Sequence, residues 1–91
     1  KSTSRMPAAP DISYELDVRG MRASELDWEL ESYLSKAVQA NLSNVRIIHG
    51  FGTGTLRQIV REFASSEPVV KSFRPGKRDE GGDGVTVIYL E

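Results

Sequence analysis

Hydrophobic spacing alternates along this chain between the two-residue period of a strand and the three-to-four-residue period of a helix, and this restricts the fold to the α/β (α+β) class. From Ile12 to Arg19, the residues Ile12, Tyr14, Leu16 and Val18 alternate with Ser13, Glu15, Asp17 and Arg19, which predicts a strand closed by Gly20. From Ala23 to Asn41, Leu26, Leu30, Tyr33, Leu34, Ala37 and Val38 recur at helical steps. Ser24 is placed to cap this helix, and Asn41 with Leu42 and Ser43 ends it. Val45–His49 is too short for a helix and rich in β-branched residues, so it reads as a buried strand. Leu56, Ile59, Val60 and Phe63 mark a second helix, with Arg57 and Arg61 four residues apart beside its apolar face. Pro68 opens an extended segment through Arg74, a polar loop runs from Pro75 to Gly84, and Val85–Leu90 is the last strand. The order is βαβαββ. Helical crossovers make the first strands parallel, and the direct loop before the last strand allows an antiparallel pair, so a mixed four-stranded sheet with two helices is expected.

With 91 residues the chain accommodates one small domain, and its 38% hydrophobic content is that of a packed one. The opening residues 1–11 contain two prolines among small polar residues without periodicity and read as a linker or N-terminal arm; the domain then occupies 12–91. There is no cysteine and a single histidine, which excludes a disulfide framework and disfavours a compact zinc site. No apolar run is long enough to span a membrane and no signal-peptide pattern is present, so no membrane partner and a cytoplasmic location are the expectations. Trp28 falls nearly opposite the apolar stripe of the first helix, either as an exposed residue without special role or as a contact for the arm or a partner.

The formal net charge of −1 conceals a division. Residues 11–36 are dominated by Asp11, Glu15, Asp17, Glu25, Asp27, Glu29 and Glu31, whereas residues 44–78 carry Arg46, Arg57, Arg61, Lys71, Arg74, Lys77 and Arg78. Converging bases would make a polyanion-binding face; scattered ones would be ordinary solvated charge. The stretch His49-Gly-Phe-Gly-Thr-Gly54 joins a strand to a helix, where glycines permit positive φ and the helix N-terminus attracts anions. The loop lacks the Lys-Ser/Thr ending of a nucleoside-triphosphate loop and the spacing of a dinucleotide-binding one, so no nucleotide is expected to bind here. Close packing of helix on sheet is its structural alternative. In a βαβ unit the carboxyl ends of parallel strands share an edge, so Asp17, Arg19 and His49 can approach one another. His49 suits proton transfer, Arg19 suits phosphate binding, and Asp17 suits orienting a base, activating water or holding a divalent cation such as magnesium or manganese. The alternative is a structural Asp17–Arg19 pair and a histidine that only completes the turn.

Together, Leu16-Asp-Val-Arg-Gly20, His49-Gly-Phe-Gly-Thr-Gly54 with Leu56-Arg57, Val69-Val-Lys-Ser-Phe-Arg74 and Glu80-Gly-Gly-Asp-Gly84 resemble, in order and separation, the small MutS-related (Smr) domain family. The resemblance is greatest to the C-terminal module of the second bacterial MutS paralogue. It implies a two-layer βαβαββ sandwich similar to the C-terminal domain of translation initiation factor three, nucleic-acid binding, and in several members nicking endonuclease activity. By position, Asp17, Arg19 and His49 take the catalytic places, while Gly50, Gly52, Thr53 and Gly54 form the phosphate cradle. Val18 replaces the commoner Leu, and Phe51 stands where a basic residue often occurs, suited either to stacking on an unpaired base or to plugging the loop from below. The implied partners are DNA or RNA, the ATPase portion of a parent MutS-like protein, and the ribosome. Three functions therefore compete: phosphodiester cleavage in DNA or structured RNA, non-catalytic docking through the loop with Arg57, Lys71, Arg74, Lys77 and Arg78, and a protein-interaction role centred on Trp28.

Overall fold

The computed structural model describes residues 12–91; the arm predicted for 1–11 lies outside them. In chain order they form β1 (Glu15–Asp17), α1 (Ala23–Gln39), β2 (Asn44–Ile48), α2 (Thr55–Ser66), β3 (Val70–Pro75) and β4 (Val85–Leu90), with short 3-10 turns at Arg78–Glu80 and Gly82–Gly84. The sheet order is β1-β2-β4-β3. β1 runs parallel to β2, and β4 runs antiparallel to both β2 and β3. The mixed four-stranded sheet with two helices is thus as expected, and the last strand inserts between β2 and β3. No described helix is long and apolar enough to cross a membrane.

Register explains the layers. Leu16, Ile47 and Thr86 share one row across the sheet, and Val45 pairs with Ile88 in the next. Leu16, Val45, Ile47 and Ile88 join Leu26, Leu30, Tyr33, Leu34 and Ala37 of α1 and Val60 and Ala64 of α2 in a single core. Each fully buried leucine contributes roughly 1.5–3 kcal/mol of transfer free energy. Truncating Leu30 to alanine would add a cavity and cost about 2–5 kcal/mol.

Three local expectations are corrected. Ser24 is not a cap: α1 begins at Ala23 with Arg22 at the N-cap and no side-chain cap bond, because the Val18–Met21 turn delivers the chain two residues earlier. Glu25 in the first turn complements the helix dipole instead. The first strand is shorter than Ile12–Arg19, since the Asp17 carboxylate accepts the backbone N–H of Arg19 at 3.0 Å and turns the chain out of the sheet. Tyr14 does not face the core as alternation predicted; it is 55% exposed, with the Arg46 guanidinium 5.7 Å from its ring centre. The expected end of α1 is observed: Asn41 has φ 61, its N–H donates to Val38, and the N–H of Leu42 donates back to Ala37.

The face of the sheet away from the helices carries the row Glu15, Arg46, Val87 and Arg74. The 77–84 loop folds against its end, with the Gly81 backbone so close to Val85 that a β-carbon there would sit 2.5 Å from a valine methyl. Glu80 anchors this loop. Its carboxylate accepts two bonds from Arg74, at 2.8 and 3.0 Å, and the Lys77 backbone N–H at 2.7 Å, with Arg46 nearby at 3.9 Å. These donors, the Arg74 guanidinium foremost, hold the Glu80 carboxyl down to about 2. Because the folded value lies below the unfolded one, the stabilisation is complete above about pH 4.5 and is lost as pH falls toward 2. Thermal unfolding followed between pH 7 and pH 2 should show a flat midpoint and then an acid decline. Glu80→Gln should lower the neutral plateau and flatten that decline; an unchanged acid limb would assign it to other carboxylates.

Candidate functional site

The loop between β2 and α2 is built on alternating backbone hands. φ is positive at Gly50, Gly52 and Gly54 but not at Phe51 or Thr53, an alternation that turns successive N–H groups toward a common concavity. Among the described residues, the N–H groups of Phe51, Gly52, Thr53 and Gly54 make no backbone hydrogen bond. Gly54 is the N-cap of α2, has φ 89 and supplies no side-chain cap, so the positive end of a twelve-residue helix opens onto the same place. Arg19, Gly20, the 49–54 loop, Thr55, Leu56 and Arg57 line a groove of about 370 Å³.

The loop is tied down from beneath. The carbonyl oxygen of Gly84 accepts the N–H groups of both His49, at 3.1 Å, and Gly50, at 2.9 Å. His49 is 5% exposed and both its ring nitrogens are engaged. The Gly50 carbonyl can only accept, so Nδ1 carries the proton and donates to it at 3.0 Å. Nε2 then accepts from the Thr86 hydroxyl at 2.8 Å, and that hydroxyl accepts from Arg61 Nε at 3.1 Å. Burial foremost, with the nearby Arg61 and Arg57 charges, pushes the imidazole below its ordinary value and keeps it neutral. Arg61 also donates to Asp83 at 3.1 Å, and Arg57 donates to the other oxygen of that carboxylate.

Asp17 and Arg19 meet at the end of β1. Arg19 donates from Nε at 2.9 Å and from Nη2 at 2.6 Å to the two oxygens of Asp17. This fork, together with the Arg19 backbone N–H, holds the Asp17 carboxyl down to about 2. The stem of Arg19 passes over Gly50, its Cγ 3.3 Å from where a β-carbon would stand. The structure therefore brings Arg19 and His49 to one groove, while Asp17 stands behind Arg19 and is not among the lining residues. Phe51 is 65% exposed, with one edge of its ring against Gly84, so it is no buried plug.

The predicted basic residues divide. Arg57 lines the groove. Arg74 is engaged by Glu80, the Tyr89 hydroxyl and the Pro75 carbonyl, and belongs to the loop anchor. Lys71 on the outer strand and Lys77 and Arg78 on the 77–84 loop are exposed and do not line the groove. Sequence reasoning passed over Asp83, Arg61 and Thr86 as participants. The four-residue spacing of Arg57 and Arg61 was the available signal, because it places both on one side of α2. A divalent cation does not fit these side chains: the described residues contain no group of three or more His, Asp or Glu suited to one, and Arg19 occupies both oxygens of Asp17.

The comparisons agree with this fold. The Smr domain family model matches residues 16–91. Endonuclease MutS2 of Anaeromyxobacter sp. is 44% identical over 98% of this chain, and that of Pelotomaculum thermopropionicum 51% identical over 90%. The chain spans only 11% and 10% of their respective lengths. The crystal structure of the Smr domain of Thermus thermophilus MutS2 superimposes with a TM-score of 0.82 at 42% identity, covering 85% of this chain and 96% of that one. YdaL, a stand-alone small MutS-related protein from Escherichia coli, shares the fold with a TM-score of 0.81 at 23% identity, covering 86% of this chain and 64% of that one.

Thr86 is fully buried and is the one hydroxyl joining Arg61 to His49. Thr86→Val keeps its shape but leaves the imidazole Nε2 without a donor and Arg61 Nε without an acceptor. Urea unfolding should show a loss of about 1–3 kcal/mol. In the native protein, nitrogen-detected NMR should find His49 neutral and protonated at Nδ1 at pH 7, and a predominantly Nε2-protonated ring would contradict the network.

Proposed function

Since this chain belongs to the Smr domain family, we propose that it is a nucleic-acid-binding module that seats a backbone phosphate in the groove between Arg19 and Arg57. The observation that carries this reading is the convergence, in one concavity, of the N–H groups of a glycine loop, an uncapped helix N-terminus and two arginines. Each element favours an anion, and neither aspartate that neutralises the arginines lines the groove. Phosphate displaces Arg19 from an exposed ion pair, which contributes little in water. Bidentate arginine and several backbone donors offer more. Phe51 presents the outer part of its ring at the rim, where an unpaired base can stack for about 1–3 kcal/mol, so single-stranded or unstacked nucleotides are the preferred ligands. His49 serves this site as a positioning residue, holding the Gly50 carbonyl so that the following N–H groups face the groove. The domain acts within a longer MutS-like protein whose ATPase portion lies elsewhere in that chain.

A second reading, phosphodiester cleavage, is favoured by the Asp17 carboxylate behind Arg19 and is in keeping with the endonuclease designation of the MutS2 relatives. When Arg19 turns to a phosphoryl oxygen, Asp17 loses the partner that depresses its pKa and becomes a better proton acceptor. It can then take the proton of an attacking water or a ribose 2′-hydroxyl as the new P–O bond forms and the P–O bond to the departing sugar oxygen breaks, that oxygen taking its proton from solvent.

Fluorescence anisotropy and single-turnover cleavage with DNA and RNA oligonucleotides test both readings. Gly52→Val and Arg19→Gln should each weaken binding at least about tenfold, and Phe51→Ala should weaken single-stranded more than duplex binding. Asp17→Asn should retain binding and lose cleavage. Affinity insensitive to salt, or to Gly52→Val, would overturn the phosphate groove; equal product from native and Asp17→Asn proteins would overturn the cleavage reading.

A further inference from the structure

Arg57 lies at the groove's far wall, in the first turn of α2, with Nη2 2.9 Å from the place of a Gly54 β-carbon. A β-carbon there would have to push the guanidinium tip aside. Its partner, however, is outside the groove: the Asp83 carboxylate of the 77–84 loop, which also holds Arg61 at 3.1 Å through its other oxygen. Asp83 is 52% exposed and Arg57 33% exposed at the side chain, whereas Arg61 is additionally fixed through Thr86. One carboxylate thus bridges a structural arginine and a groove arginine.

We propose that Asp83 is the internal counter-anion of this groove, occupying Arg57 in the free domain and yielding it to a nucleic-acid phosphate on binding. The inference rests on the phosphate-groove reading above and adds the element that sets its strength. Three observations favour the exchange. Arg57 already lines the groove, so it needs a side-chain rotation and no backbone movement. Asp83 is not orphaned by it, because Arg61 and water remain as partners. A solvent-exposed ion pair contributes little, while a phosphate held by the loop N–H groups gains a second charged donor from Arg57. The free domain therefore carries its groove arginine neutralised. A ligand must outcompete a carboxylate already in place, which an isolated weak anion does not do and a strand positioned by neighbouring contacts does.

The test is a double-mutant cycle read by anisotropy with a fluorescent single-stranded oligonucleotide of about 20 nucleotides at fixed salt. Asp83→Asn should bind about two- to fivefold more tightly than the native domain. Asp83→Glu, which keeps the charge, should stay within about twofold of native. In an Arg57→Gln background the gain from Asp83→Asn should largely disappear, because Asp83 then holds no groove cation to release. An equal gain in both backgrounds would show that Asp83 acts only as one more negative charge near a polyanion and would overturn the proposal. Unchanged or weaker binding by a folded Asp83→Asn protein, with thermal unfolding as the folding check, would overturn it as well. Failure of the native domain to bind salt-sensitively would instead remove the phosphate-groove reading beneath it.

Discussion

The carbonyl oxygen of Gly84 accepts two N–H groups from the glycine loop, those of His49 and Gly50, and this bifurcated contact is the one on which the site depends. It joins the start of β4 to the loop after β2, two segments distant in sequence that the insertion of β4 between β2 and β3 makes neighbours. A β-carbon at Gly84 would stand 3.1 Å from the Phe51 ring, a tight contact that the exposed ring would relieve by a small shift. With the loop fixed at this point, His49 can reach both the Gly50 carbonyl and Thr86, and the remaining N–H groups of the loop are left facing outward. A buried imidazole with both nitrogens satisfied rigidifies the cradle at little cost, because no charge is buried with it.

The electrostatics follow the same economy. Among the described residues, Arg46 and Arg74 are held by Glu80 on the open side of the sheet, while Glu25, Asp27 and Glu31 stand exposed on α1. What distinguishes the groove is geometry. Arg19 and Arg57 approach it from β1 and α2, and each leans on an aspartate placed outside it. In the proposed binding mode, an anion entering between them meets oriented donors in place of a diffuse field, which favours one seated phosphate over nonspecific attraction. A net charge of −1 for the whole chain is compatible with polyanion binding on these terms.

Much of this was legible in the sequence, for identifiable reasons. The order of elements followed from periodicity, which burial enforces: Leu26, Leu30 and Leu34 are all buried, as their spacing requires. The glycine loop announced itself because positive φ at Gly50, Gly52 and Gly54 demands those residues. Failures came where a single side chain competes with the pattern. Asp17 ends β1 early by capturing the Arg19 N–H, and Tyr14 leaves the core for Arg46. The network of Asp83, Arg61 and Thr86 was hidden because its members come from a loop, a helix and a strand that only the tertiary fold assembles. Arg74 read as a free base for a related reason, since nothing local announces Glu80 as its partner.

Amide chemical-shift mapping of the domain titrated with a short single-stranded oligonucleotide tests the central claim most directly. The account predicts that the largest changes fall on Phe51, Gly52, Thr53, Gly54 and Thr55 and on the guanidinium signals of Arg19 and Arg57. Residues of the open sheet face, such as Arg46, Ser72 and Tyr89, should move little. Changes concentrated on that face or on α1, with the glycine loop unmoved, would contradict it.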